Sequence, residues 1–278
     1  MRRAVAVLVA VLCAAACGGP AQQVFTTSVP VAATTTPTGR VTVGTVVPTT
    51  GSTAVLPTVA AANPLNSAVS LARRPCDLPP WDDPAFLDTA LRCLDLAWRP
   101  VLERLGIEFR PARLVVTETP QTGTCTRPPE GNSFYCNGVI SLAPSSYRNT
   151  NAGPRGIPAA AVSLLAHEYG HHVQELSGTL AASTQLIAAS GRNSPAGLEV
   201  SRRAELQAQC FAGMFVGASF DLATAAIAQQ DNYTRGDAPG SAGTHGTPAH
   251  FGDWFTVGVQ RNSLDSCNTW AAPPDTVR

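Results

Sequence analysis

The ten residues Leu165–Gln174, LAHEYGHHVQ, constrain the fold of this chain more than any other segment. They hold His167, Glu168, His171 and His172, although the whole chain of 278 residues has only five histidines. The residues just before them, IPAAAVSL, are almost all apolar, and apolar side chains recur at helical spacing through the segment. We therefore predict a helix that is buried along one face and carries imidazoles and a carboxylate into the domain core.

His167 and His171 lie four residues apart, so both side chains project from one face of a helix. Two imidazole nitrogens in this arrangement can bind one tetrahedral Zn²⁺. Glu168 is displaced around the helix, where it is poorly placed as a ligand but can reach a water next to the metal. Gly170 in the same helix costs about 1 kcal/mol relative to alanine, which predicts that another element approaches the backbone there.

A catalytic zinc site of this kind needs a third protein ligand, which is often a carboxylate. The fourth coordination position then stays open for water. Glu205, in RRAELQAQCFAGMF, lies on a second predicted helix that runs from about Leu198 to Val216. Its apolar surroundings favour it as the ligand over a solvated carboxylate. Glu199, His245 and Asp253 remain rivals for the same role.

The N-terminus has the composition of an export signal. The cationic MRR precedes the apolar AVAVLVAVLCAAA, which is too short to span a bilayer. Small residues then lead to Cys17, as in a bacterial lipobox. We predict a signal peptide with a lipobox over residues 1–17, with Cys17 lipidated and the protein held on the extracytoplasmic face of the cell membrane. Ordinary signal cleavage, which would give a secreted protein, is the alternative.

Residues 18–75 are predicted to be a disordered tether, because Thr, Pro, Val and Ala dominate and charged or aromatic side chains are few. Residues 76–272 are predicted to form the folded domain, followed by a C-terminal tail over 273–278. The formal net charge is zero and 14% of residues are charged, so no basic surface is expected to bind nucleic acid.

Six cysteines remain after the export segment, and an even number in an exported chain favours disulfides. Six cysteines allow fifteen connectivities. Proximity in sequence favours Cys76 with Cys93 and Cys125 with Cys136, which leaves Cys210 with Cys267.

The order of predicted elements indicates an α+β fold, a small sheet packed on a mainly helical domain. A helix is expected from an Asp83 cap and Pro84, divided or kinked at Pro100. ARLVVTE predicts a strand, and SFYCNGVISLA predicts a hairpin with an Asn-Gly turn. The further helices are expected from Pro158 to a cap at Gly178, over 198–216, over 220–230 and over 248–257.

Three segments in this order, LLAHEYGHHVQ, RRAELQAQCFAGMF and HGTPAHFGDWF, resemble the neutral zinc metallopeptidases typified by bacterial YpfJ-like proteins. The resemblance covers about residues 125–267. It implies a zincin-like fold with the His-Glu-x-x-His helix in the core. It also implies His167, His171 and Glu205 as zinc ligands, Glu168 as the catalytic residue, and peptide or protein substrates.

Two positions depart from that family's pattern. Gln209 stands where the family usually has an aspartate that would orient a histidine ligand, so the metal affinity could differ. Phe251 and Asp253 stand where arginines are common, which concerns substrate preference more than the zinc site. The leading prediction is an exported zinc peptidase. The alternatives are a weak or inactive zinc-stabilised binding lipoprotein of the same fold, and a metal-free lipoprotein stabilised by disulfides.

Two further hypotheses concern substrate binding. His245 is a hypothetical stabiliser of the oxyanion that forms during peptide hydrolysis. The strand at Val139–Leu142 is either an edge that adds an extended peptide or an ordinary core strand.

Overall fold

The structure is a computed structural model that describes residues 63–119, 125, 131–148 and 153–278, with the backbone alone given for 153–157. The predicted export segment, Cys17 and most of the predicted tether lie outside these residues. None of the helices in the described part of the chain has both the length and the apolar composition needed to cross a membrane.

The described elements are mainly helical with one small sheet, which confirms the predicted α+β class. In chain order they are α1 Phe86–Arg104, β1 Arg113–Val116, β2 Phe134–Cys136, β3 Val139–Leu142, α2 Ser145–Arg148, α3 Gly153–Leu176, α4 Thr179–Ser190, α5 Pro195–Ser219, α6 Leu222–Asn232 and α7 Pro248–Arg261, with 3₁₀ turns at Leu264–Cys267 and Pro274–Val277.

The helix α3 lies at the centre of the domain and packs on α1, α5 and α6. Its apolar stripe is fully buried, with no solvent exposure at Leu165, Tyr169 or Val173. The Tyr169 hydroxyl donates a 2.8 Å hydrogen bond to Asp95 of α1. Burial of this stripe explains why the motif helix forms in the core, as its apolar periodicity predicts.

The sheet has the strand order β1-β3-β2, with β1 parallel and β2 antiparallel to β3. The predicted Asn-Gly turn joins β2 to β3, with Asn137 at φ 46° and Gly138 at φ 79°, the left-handed values that a tight hairpin turn requires. Val139–Leu142 is therefore the central strand, paired on both sides, and the edge-addition hypothesis for it is wrong. An isolated sequence segment does not show how many partners a strand has.

The three disulfides pair as proximity predicts, namely Cys76–Cys93, Cys125–Cys136 and Cys210–Cys267. Cys210 lies in α5 and Cys267 in the 3₁₀ turn after α7. This bond therefore ties the helix that carries Glu205 to the C-terminal part of the domain.

Several predicted boundaries shift. The helix α1 begins at Phe86 rather than at Pro84, because the Asp83 side chain accepts a hydrogen bond from the Ala85 amide in a turn just before the helix. Pro100 lies inside α1 and does not divide the helix. The motif helix α3 begins at Gly153 and includes Pro158. The helix α4 follows Gly178 (φ 79°) directly and was not predicted, because that glycine was interpreted only as the end of α3.

The domain extends beyond both predicted limits, 76 and 272. Leu65 and Leu71 are buried in the core, and Asn262 accepts a bond from the Leu71 amide and donates one to its carbonyl. At the other end Val277 is fully buried, and its carbonyl accepts a bond from Arg202. Residues 63–75 and 273–278 therefore pack as parts of the domain.

Candidate metal centre

His167 and His171 project from α3 into one buried space. His167 is 6% and His171 is 9% exposed to solvent. The two rings lie nearly perpendicular, with centroids 4.9 Å apart. The spacing of four residues therefore brings both imidazoles to one point, as a shared metal requires.

Glu205 reaches the same point from α5. Its Oε2 lies 3.2 Å from the Nε2 of His167 and 3.2 Å from the Nε2 of His171. One ligand atom from each of the three residues lies within 4.8 Å of the others, and this is the metal-binding group found among the described residues. The helices can approach this closely because Gly170 faces Ala208, where an added Cβ would lie 2.7 Å from the Ala208 carbonyl oxygen. This contact confirms the predicted close approach at Gly170.

The outer nitrogens of both imidazoles are held by glutamines. His167 Nδ1 lies 2.9 Å from Gln209 Oε1, and His171 Nδ1 lies 2.9 Å from Gln174 Oε1. The orientation of each amide is fixed because its nitrogen donates elsewhere, from Gln209 to Asn232 and from Gln174 to the Ala204 carbonyl. The oxygen that faces each imidazole can only accept a hydrogen bond. Each Nδ1 therefore carries a proton, which leaves each Nε2, the atom that faces Glu205, as the nitrogen available to bind a metal.

The donor set fits zinc. Two imidazole nitrogens and one carboxylate are a known catalytic zinc set that leaves an open position. The hydrogen-bonded Nδ1 atoms fix the tautomer and ring orientation that such ligation needs. Zinc is the cofactor that this group and the family comparison below support, and His167, His171 and Glu205 form a group that could hold it.

The charges at this centre are strongly coupled. Burial alone would raise the pKa of Glu205, but His171 and His245 hold it well below the usual carboxylate range. Burial would likewise lower the pKa of His171, yet the charge and hydrogen bond of Glu205, together with the Glu168 charge, outweigh burial and raise this pKa to about 9. Burial is dominant at His167, whose pKa is lowered. In the absence of a metal, the group therefore holds a proton where a cation would bind.

Glu168 lies beside the metal-binding group rather than in it. It is 6% exposed, and burial raises its pKa to about 7. A carboxyl group with a pKa near neutrality is suited to both accepting and donating a proton.

Two cavities meet at Glu168. One has a volume of about 390 Å³ and has the polar side chains of Ser146, Ser163 and Arg235 in its wall. The other has a volume of about 300 Å³ and includes Leu180 and Ile187. Both are lined by Ser133, His167, Glu168 and His245. The arrangement is a cleft that passes over the metal-binding group and has room for groups on either side of it.

The remaining histidine of the motif has a structural position. His172 Nε2 donates to the Arg110 carbonyl at 2.7 Å, so its Nδ1 accepts from the Tyr135 hydroxyl at 2.9 Å. These bonds join α3 to β2 and to the segment before β1. His172 is 1% exposed and does not belong to the metal-binding group.

The rival third ligands lie elsewhere or at the margin. Glu199 pairs with Arg203 at 2.7 Å, and Asp253 accepts a 2.7 Å bond from Tyr233. His245 is close, with its Nε2 3.6 Å from Glu205 Oε2, but it lies outside the group of three. Gln174 was missed by sequence reasoning, although its position three residues after His171 on a helix was a usable signal.

Comparisons with known proteins agree with this geometry. A family model described as "Putative neutral zinc metallopeptidase" matches residues 81–270. The uncharacterized protein Rv2575 of Mycobacterium tuberculosis is 30% identical over 212 residues, which cover 64% of this chain and 68% of that protein. The uncharacterized protein YpfJ of Escherichia coli K12 is 28% identical over 208 residues, covering 66% of this chain and 70% of that protein. No solved structure matches the chain.

Proposed function

Because this chain belongs to the neutral zinc metallopeptidase family, we propose that it hydrolyses peptide bonds with zinc held by His167, His171 and Glu205. The observation that carries the proposal is the convergence of these three side chains from two helices, with both Nε2 atoms 3.2 Å from one carboxylate oxygen. The buried Glu168 beside them supplies the proton-transfer group that a hydrolase needs and a purely structural zinc site does not.

Zinc, when bound, supplies a Lewis acid that lowers the pKa of water and polarises a carbonyl oxygen. Glu168 accepts a proton from the attacking water as its oxygen bonds to the carbonyl carbon. The same carboxyl group then returns the proton to the peptide nitrogen as the carbon–nitrogen bond breaks, which yields a carboxylate and an amine. The pKa of Glu168, raised to about 7 by burial, suits both halves of this cycle.

The proposal includes a zincin-like fold, in which the motif helix lies in the core and the third ligand comes from a later helix. The positions of α3 and α5 support it. The substrate class is a peptide or protein, because the cleft leaves the metal-binding group open on two sides.

We further propose that the protein works outside the cytoplasm, anchored to the membrane by a lipid on Cys17. The sequence of residues 1–17 and the three disulfides support export. In cells fed an alkyne fatty acid, the wild-type chain should be labelled and sediment with membranes, whereas Cys17→Ala should be unlabelled and leave the membrane fraction. Equal labelling of the two chains would contradict the anchor.

The alternative function is a weak or inactive zinc-stabilised binding protein at the cell surface. The uncharged Gln209 beside His167 favours it, because a carboxylate there would strengthen the ligand more. The alternative predicts zinc binding without turnover.

Hydrolysis of unfolded casein separates the two functions. We expect the purified chain to cleave casein, to lose activity with a chelator and to regain it with zinc. Glu168→Gln should keep its zinc and lose about 10²–10⁴-fold in kcat, the usual contribution of general acid–base catalysis. Bound zinc with no cleavage by the wild type would support the binding protein, and full activity of Glu168→Gln would refute the assigned mechanism.

A further inference from the structure

We propose that His245 is a further catalytic residue, which donates a hydrogen bond from Nε2 to the carbonyl oxygen of the peptide bond under attack. This inference rests on the proposed function and adds a group from outside the His-Glu-x-x-His helix. His245 lies in the loop between α6 and α7, far in sequence from the other site residues.

The loop is built to hold this histidine in place. The Asp237 carboxylate accepts three backbone bonds, from the amides of Thr244 at 3.1 Å, His245 at 2.9 Å and Gly246 at 2.6 Å. Arg202 of α5 donates a 2.8 Å bond to the Gly243 carbonyl. A surface loop needs no such set of bonds merely to connect two helices. Its effect is to fix His245 above the helix that carries Glu205.

The position of His245 suits contact with a substrate rather than with the metal. Its Nε2 lies 3.6 Å from Glu205 Oε2, and its side chain is 49% exposed. It lines both cavities together with Glu168, so it faces the cleft where the two cavities meet. It does not belong to the group of atoms that converge within 4.8 Å. A donor placed beside that group faces the space that a reacting carbonyl would occupy.

The neighbours of the ring place the proton on Nε2. The Thr244 hydroxyl lies 3.0 Å from Nδ1 and can donate to it, whereas the Asp237 Oδ1 is 3.9 Å from Nδ1, beyond hydrogen-bond distance. The opposite tautomer would direct the Nε2 lone pair at the Glu205 carboxylate, where two acceptors would repel each other. His245 therefore presents an N–H group to the cleft.

In the reaction, the water oxygen bonds to the carbonyl carbon while Glu168 takes the water proton. The carbonyl oxygen gains negative charge, and the His245 N–H holds it by a hydrogen bond without transferring its proton. The oxygen loses this charge again when the carbon–nitrogen bond breaks and Glu168 protonates the nitrogen. A donor fixed in advance for a developing oxyanion typically contributes about 10²–10³-fold to kcat.

The test compares His245→Ala with His250→Ala in the full, zinc-loaded chain. His250 is a matched control, since this half-buried histidine lines neither cavity and its Nδ1 bonds to the Arg278 carbonyl. Three quantities are measured: zinc per chain, kcat/KM on a fluorogenic peptide, and the calorimetric Kd of a peptide phosphonamidate, whose tetrahedral anionic group mimics the charged oxygen. A peptide amide of the same sequence serves as the uncharged reference ligand.

For His245→Ala we expect unchanged zinc, kcat/KM reduced about 10²–10³-fold, phosphonamidate binding weakened by a similar factor, and unchanged binding of the amide. His245→Gln, which keeps a donor, should recover part of the loss. Asp237→Ala, which frees the loop, should lower kcat more than it raises KM. His250→Ala should match the wild type.

Three results would overturn the assignment: kcat/KM and phosphonamidate binding that do not change in His245→Ala, loss of zinc in that variant, or equal weakening of both ligands. If the wild type cleaves no peptide, the proposed function fails, while the two Kd values still decide the role of His245. If the wild type also fails to bind the phosphonamidate, both proposals fail.

Discussion

Gln209 determines how strongly His167 can act as a ligand. Its Oε1 accepts the Nδ1 proton of His167 at 2.9 Å, and its amide nitrogen is anchored on Asn232. Gln209→Leu removes this acceptor and leaves the imidazole free to change orientation and tautomer. We expect the zinc affinity to fall about 10–100-fold, as for other residues that support metal ligands. Competition with a fluorescent zinc chelator measures it.

The control for this prediction is Gln229→Leu, which removes a partly buried glutamine from α6 that bonds to Thr256 instead. It should leave the zinc affinity unchanged. Equal affinities for wild type and Gln209→Leu would mean that the hydrogen bond to His167 has no role in metal binding.

His171 makes zinc binding depend on pH. Burial lowers its pKa, but the charge and hydrogen bond of Glu205, together with the Glu168 charge, outweigh burial and raise the pKa of metal-free His171 to about 9. Below that pH the imidazole carries a proton that the metal must displace, so at pH 7 binding should release about one proton from this residue. The apparent affinity should rise with pH up to about 9. Calorimetry in two buffers of different ionisation enthalpy counts the protons, and a count near zero at pH 7 would contradict the raised pKa.

The convergence of His167 and His171 could be predicted from the sequence, because helix geometry fixes the two side chains relative to each other. Glu205 needed a packing argument, and its rivals could be excluded only by the structure. Glu199 is on the same helix as Glu205, yet it faces Arg203. Which face of a helix meets which neighbour depends on tertiary contacts that periodicity alone does not specify.

The crossing of α3 and α5 is the packing feature on which the site depends. A methyl group at Gly170 would meet backbone atoms of Ala208 at 2.7 and 2.8 Å. Gly170→Ala should gain about 1 kcal/mol in helix propensity and lose more by forcing the helices apart. We expect a net loss of about 1–3 kcal/mol in the free energy of unfolding, together with weaker zinc binding because Glu205 moves away from both imidazoles. Urea denaturation and zinc titration measure the two effects.

An exposed helical position separates the propensity effect from the packing effect. Ala188→Gly in α4 changes the same pair of residue types at a position where the side chain is exposed. It should cost about 1 kcal/mol and leave zinc binding intact. A Gly170→Ala protein more stable than wild type would show that the helices are free to adjust.

Errors of the sequence-based prediction fall where local signals conflict with packing. Gly178 has the left-handed conformation expected after α3, but the chain enters α4 at once, so one glycine both ends a helix and precedes the next. The segment before Cys76 has the composition of a flexible linker, yet Leu65 and Leu71 each fill a buried position. The average composition of a segment does not reveal that two of its leucines are buried. The Asn137-Gly138 turn was predictable because the turn type itself demands those residues.

Metal binding should stabilise the whole domain, because the ligands come from two helices that are distant in sequence. Zinc that binds the folded chain and not the unfolded one adds about 4 kcal/mol when its concentration is a thousand times Kd. For a domain of this size, that corresponds to a rise in Tm of about 8–16 °C. Removing the metal with a chelator should lower Tm by the same amount, and added zinc should restore it.

Two glutamates on α5 make this prediction specific. Glu205→Ala removes a metal ligand and a buried charge, so the zinc-dependent rise in Tm should largely disappear. Glu199→Ala removes the partner of the buried Arg203, so Tm without metal should fall because an unpaired buried charge is costly. The zinc-dependent rise should nevertheless remain in Glu199→Ala, since its three ligands are intact. A rise that survives in Glu205→Ala and vanishes in Glu199→Ala would mean that the metal is held elsewhere in the domain.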